Sequence, residues 1–136
     1  MKLERFEYGG PYLIGVTDID QQHTRFFEIY NELADRIKES DSVPDAYIRK
    51  ICNDLFIYTK YHFKEEHWIM ATNEYQKIRE HLDQHQHLIE SLDRVRTQKT
   101  SVDDIVKAIK TFVDSWAEHI LVMDRALGEF LKHKQG

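Results

Sequence analysis

The chain is poor in the residues that break or cross-link structure. Among 136 residues there are 5 Gly, 2 Pro and one Cys. A single cysteine excludes a disulfide framework and fits a reducing compartment. Cys52 falls on an apolar helical stripe and reads as a small buried hydrophobe. So few Gly and Pro, with 32% charged and 41% apolar residues, argue against a sandwich or barrel and for long helices with short loops. No stretch approaches the roughly 18 apolar residues of a membrane span. Met1-Lys2-Leu3-Glu4-Arg5-Phe6 lacks the apolar run of a signal peptide, so a soluble cytoplasmic protein is expected. Nor is there a basic excess. The formal net charge is -5, with Lys and Arg scattered, which disfavours nucleic acid as a partner. This length suits one domain with a real core.

Residues 1–17 contain Gly9-Gly10-Pro11 and Gly15 and read as an irregular arm, packed on the body through Phe6, Tyr8, Tyr12 and Leu13. Residues 18–136 read as four amphipathic helices. The first starts near Asp18, with Ile19, His23, Phe26, Phe27, Tyr30, Leu33 and Ile37 inward. Ser40-Asp41-Ser42 breaks it, and Ser42-Val43-Pro44-Asp45 has the pattern of a capped start to the second, which runs to about Ala71. Its inner stripe includes Cys52, Leu55, Tyr58, Thr59, His62 and Glu66. The third runs from about Gln76 to Val95, with His81, Leu82, His85 and Leu92 inward. After Thr97 to Thr100, Ser101-Val102-Asp103-Asp104 caps the fourth, whose stripe includes Phe112, Trp116, His119, Ile120 and Met123. Short connections make neighbours antiparallel, so the fold class is all-α: an up-down-up-down four-helix bundle.

His62 and Glu66 are four apart, which stacks an imidazole and a carboxylate on one helical face. His81 and His85 repeat the spacing. His23 lies near the start of helix one, His62 and Glu66 near the end of helix two. His81 and His85 lie near the start of helix three, His119 and Asp124 toward the end of helix four. In an alternating bundle these places share one end, within a band roughly 7 to 20 Å from it. The set exceeds the four ligands of one zinc and suits two octahedral ions. Bridging carboxylates fill four positions, the histidines five and a bridging oxide or hydroxide two, leaving one for a small ligand. Two divalent ions, two carboxylates and a hydroxide nearly cancel in charge, which limits the cost of burial.

The set Ile19-Asp20-Gln21-Gln22-His23, His62-x-x-x-Glu66, Tyr75 followed by His81-x-x-x-His85, and His119-Ile120-x-x-x-Asp124 resembles the hemerythrins, bacterial ones in particular, over residues 14 to 131. The resemblance implies two iron ions with a bridging oxide or hydroxide. His81, His85 and His119 would hold one iron, His23 and His62 the other, with Glu66 and Asp124 bridging. It implies dioxygen as ligand, bound reversibly as a hydroperoxide at the two-histidine iron. The expected protein is a monomer that stores, carries or senses oxygen and is not an enzyme. The alternatives are a di-iron enzyme processing peroxide or nitric oxide, and a metal-handling or signalling module.

Two features of helix four stand apart. His119 and Asp124 are five residues apart, about 140° around an ideal helix. A local widening over Ile120 to Asp124 is therefore expected. The family usually has Trp and Leu at the places held here by Ser115 and Trp116. Trp116 then faces the oxygen pocket, where an indole is expected to narrow or close it. Ile120, Phe27 and Tyr58 are further pocket candidates, although ordinary core packing accounts for Phe27 and Tyr58, and the Tyr58 hydroxyl lies one turn before His62. Glu65 is out of phase with His62, and His67, His87 and His133 read as solvated.

Overall fold

Apolar residues recurring every three or four positions wind the chain into four rods that bury their inner faces against one another. The computed structural model describes residues 2–40, 42–98 and 100–135. Helix α1 spans Thr17–Glu39, α2 Asp45–Thr72, α3 Ile78–Thr97 and α4 Val102–His119. A five-residue π turn, Ile120–Asp124, leads from α4 into α5, Arg125–Gln135, with helical dihedrals at both joints. α4, the π turn and α5 are thus the fourth rod of an up-down-up-down bundle. α2 packs on α1 and α3, α3 on α4, and α2 reaches across the core to α4.

The core is built from Phe26, Tyr30 and Leu33 of α1, Ile48, Ile51 and Leu55 of α2, and Ile105, Ile109, Phe112 and Trp116 of α4. Burying each such side chain contributes about 1.5–3 kcal/mol. α3 gives least to this core. Only His81, His85 and Leu92 are buried on it, and Ile78, Leu82, Leu88, Ile89 and Val95 are half-buried.

Helix ends follow local chemistry. Ser101 Oγ accepts the N–H of Asp104 at 3.2 Å, a cap of about 1 kcal/mol. Ser42 does not cap α2. Pro44 occupies that place, with no side-chain cap. The residue before a proline is pushed out of helical geometry, so the helix cannot begin earlier than Pro44. The expected break at Ser40-Asp41-Ser42 centres on Asp41, and the third connection passes through Lys99; both lie outside the described residues. α3 starts at Ile78 rather than Gln76.

The segment before α1 lies along the bundle. Phe6 stacks on Phe27 at 4.2 Å, and Tyr8 on the same ring at 5.2 Å. Asn31 Oδ1 accepts Phe6 N–H at 2.7 Å while its Nδ2 donates back to Phe6 O at 3.0 Å. Asp20 Oδ1 accepts Ile14 N–H at 2.9 Å and its Oδ2 Gly15 N–H at 3.0 Å. Leu13, expected inward, is 49% exposed, and Ile14 is the buried anchor. Leu13 is extended, so adjacent side chains face opposite ways. Ile14 meets α5 at Gly128, where a Cβ would sit 2.8 Å from Ile14 O.

Candidate metal centre

Five imidazoles and two carboxylates meet in the core at one end of the bundle. His23, His62, Glu66, His81, His85, His119 and Asp124 are all buried. They fall into two groups of possible ligand atoms, Glu66, His81, His85, His119 and Asp124 in one and His23, His62, Glu66 and Asp124 in the other. The carboxylates belong to both. Glu66 Oε2 lies 2.9 Å from His62 Nε2, while Oε1 lies 2.5 Å from His81 Nε2 and 3.3 Å from His85 Nε2. Asp124 Oδ2 lies 3.0 Å from His23 Nε2, while Oδ1 lies 2.9 Å from His81 Nε2 and 3.1 Å from His119 Nε2. Each carboxylate turns one oxygen to each group.

The π turn makes this possible at Asp124. Arg125 N–H donates to Ile120 O, a step of five residues that widens the helix. The widening lies over Ile120 to Asp124 as the spacing predicts, and it brings Asp124 under His119.

Hydrogen bonding does not account for the cluster. Both oxygens of Glu66 and of Asp124, and Nε2 of His23, His62 and His81, are buried without a hydrogen-bond partner of acceptable geometry. Buried polar atoms are normally paired. Five inward imidazoles and two carboxylates gathered in the core are instead a cluster able to bind metal. The residues fit a pair of cations.

Their protonation fits as well. Burial and the charge of Asp124 push the Glu66 carboxyl up, but His62, His81 and His85 outweigh them and hold it well below the usual carboxylate range. Burial likewise opposes the ionised Asp124, and His119, His23 and His81 hold it low. Burial pushes His85 down to about 4. It acts the same way on His81, but close approach to Asp124 and Glu66 prevails and draws that imidazole up to about 9. Both carboxylates and His85 are therefore in ligand form near neutral pH, and a metal taking His81 would displace its proton.

Two glutamines brace the outer nitrogens. Gln22 Oε1 lies 2.6 Å from His62 Nδ1 and Gln84 Oε1 lies 3.0 Å from His119 Nδ1. An amide oxygen only accepts, so each Nδ1 carries a proton and each Nε2 is the nitrogen left facing inward, free to give its lone pair to a metal. The two braces are alike: each glutamine immediately precedes a donor histidine of its own helix and holds one on the next. Sequence reasoning assigned neither. The signal was position, since a residue one place before an inward histidine sits about 100° around and faces the adjoining helix. Phe63, also unassigned, is buried and stacks on His85 at 3.7 Å and 3°.

Of the pocket candidates, Trp116 is buried with its ring 5.2 Å from His23 and 5.3 Å from His62. Ile120 is buried in the π turn. Phe27 stands edge-on to Trp116 at 5.8 Å. Tyr58 is half-buried and donates to Gln22 O at 3.0 Å, so it supports the brace rather than a donor. Glu65 is half-buried, and His67, His87 and His133 are exposed. Ser115, also exposed, lines a groove of about 730 Å³ with Gln84, His87, Glu118 and His119.

No helix among the described residues is long and apolar enough to cross a membrane. The profile of the Hemerythrin HHE cation binding domain matches residues 14–131. The bacteriohemerythrin of Clostridium acetobutylicum is 30% identical over 125 residues, covering 88% of this chain and 96% of the relative. Those of Pseudomonas aeruginosa and Stenotrophomonas maltophilia are each 28% identical over 120 residues, covering 88% of this chain and 76% of theirs. No solved structure gives a significant match. With a family profile spanning most of the sequence and a buried His/Glu/Asp cluster able to bind metal, the chain belongs to the hemerythrin family.

Proposed function

We propose that this chain is a non-haem di-iron protein that binds dioxygen reversibly, for storage, transport or sensing, and that it is a cytoplasmic monomer rather than an enzyme. The observation that supports the reading best is the division of each carboxylate: Glu66 turns one oxygen to His62 and the other to His81 and His85, and Asp124 turns one to His23 and the other to His81 and His119. In that arrangement His81, His85 and His119 would hold one iron, His23 and His62 the other, and Glu66 and Asp124 would bridge. An iron pair there would supply the electrons that reversible dioxygen capture requires. The residues of the chain do the rest. Phe63, packed on His62, His85 and His119, and Trp116, beside His23 and His62, keep water from the cluster, and Gln22 and Gln84 fix two of the imidazoles. The donor balance favours binding over oxidation. Oxygen-activating bundles draw mainly on glutamates, whereas five of the seven candidate donors here are imidazoles, which are neutral as ligands and stabilise high iron states less.

Air-cycling the reduced, iron-loaded protein tests this reading. A visible band that appears with oxygen and vanishes on its removal is expected. One-way oxidation with no stable adduct would support the di-iron redox enzyme instead. A chain that takes up iron but shows no response to oxygen would support the metal-handling module, with Trp116 closing the pocket.

A further inference from the structure

Among the described residues, ten of the twelve buried side-chain nitrogens and oxygens without a hydrogen-bond partner belong to the donor residues. The others are Thr59 Oγ1 and Trp116 Nε1. Each residue sits three places before a donor histidine, His62 on α2 and His119 on α4, one turn below the donors on the inward face. The threonine hydroxyl can turn to a carbonyl of its own helix. The indole has no such freedom. It is 1% exposed and stacked on Phe26, with centroids 3.8 Å apart and 8° between planes. Phe27 stands edge-on at 5.8 Å and Phe63 lies near parallel at 6.0 Å. A buried indole N–H normally finds an acceptor, because shutting it away unpaired is costly.

The indole adjoins the imidazoles of His23 and His62, with ring centroids at 5.2 and 5.3 Å. On the two-ion reading, which this inference rests on, the ion at those two histidines has fewer protein donors than its neighbour and is the one with room for a ligand. We propose that Trp116 Nε1–H donates a hydrogen bond to the small ligand taken up there. Phe26, Phe27, Phe63 and Ile120 around it are apolar and have no side-chain donor to offer. A donor fixed in a dry pocket strengthens its bond to a charged acceptor. Trp116 therefore selects small ligands that carry negative charge on their outer atoms over neutral ones of the same size.

Azide is the probe. Iron-loaded, oxidised protein is titrated with azide by its visible absorption, for the wild type, Trp116→Phe and Trp116→Leu, with iron per chain measured on each. Phe keeps a ring against Phe26 and removes only the donor. Azide affinity is expected to fall about tenfold or more in Trp116→Phe, the scale of one hydrogen bond to a charged partner. A second measurement uses the native indole. In a Trp68→Phe background, which removes the exposed tryptophan, the ultraviolet resonance Raman band that reports indole hydrogen bonding is expected to shift when azide is added. Unchanged or tighter azide binding in Trp116→Phe overturns the proposal, as does an unmoved band. Tighter binding in Trp116→Leu with Trp116→Phe unchanged makes the indole a plug and also overturns it. Two irons per chain with azide binding blind to Trp116 defeats this inference alone. Fewer than two in the wild type defeats the two-ion reading and this inference with it.

Discussion

The amide oxygen of Gln22 lies 2.6 Å from Nδ1 of His62, a bond that crosses from α1 to α2 beside the donor cluster. Because it fixes the tautomer that turns Nε2 inward, Gln22→Leu is expected to weaken metal retention by roughly 10–100-fold in competition with a chelator. Gln22→Glu keeps an acceptor and is expected to retain more metal than the Leu variant. Equal retention in all three chains would show that the bond does not order the site.

On the proposed two-ion reading, the shared carboxylates would make the two ions interdependent. Glu66→Ala is expected to lower occupancy of both, since one Glu66 oxygen faces each donor group. His85→Ala, which touches only one group, is expected to leave closer to one metal per chain. Metal analysis of the purified variants checks this, and equal losses from the two substitutions would contradict it.

Gly128 is where α5 meets the arm. A Cβ there would lie 2.8 Å from Ile14 O and 3.1 Å from Ile14 Cβ. Backbone cannot yield as a flexible side chain does, so Gly128→Ala is expected to destabilise the fold by about 1–3 kcal/mol despite the better helix propensity of alanine. Thermal unfolding measures it. An unchanged or raised midpoint would mean that the arm shifts freely.

The fold is expected to weaken as the pH rises from neutral into the alkaline range. Burial pushes the Cys52 thiol up to about 11, and the Tyr30 and Tyr58 hydroxyls up to about 12. Tyr30 also donates to Glu4 O at 2.6 Å. From about pH 9 upward the unfolded chain has released protons that the folded chain still holds, so stability falls as pH rises through that window. Urea midpoints at about pH 8 and about pH 10.5 are expected to differ in that direction. Cys52, 2% exposed, should react with thiol reagents only after unfolding. A flat pH response or fast native labelling would contradict this.

Much of this was legible from spacing. Apolar periodicity marks all four rods, and the five-residue gap from His119 to Asp124 marks the π turn, because periodic features repeat along the chain and a misfit stands out. What escaped was local or non-periodic. The start of α2 depends on how Pro44 restricts Val43, not on the serine that resembles a cap. Leu13 and Ile14 are equally apolar, and only the extended backbone decides which turns inward. Gln22 and Gln84 act across helices, so no pattern within one helix reveals them until the neighbour is in place. Trp116 is apolar by periodicity, but its unpaired N–H emerges only from the packing around it.

The proposed function requires that two ions share Glu66 and Asp124. Iron quantified per folded chain after anaerobic reconstitution, with X-ray absorption on the same sample, tests it most directly. Two irons per chain with iron-to-iron scattering at bridged distance is the predicted result. One iron per chain, or a site filled mainly by zinc with no neighbouring metal, would contradict it.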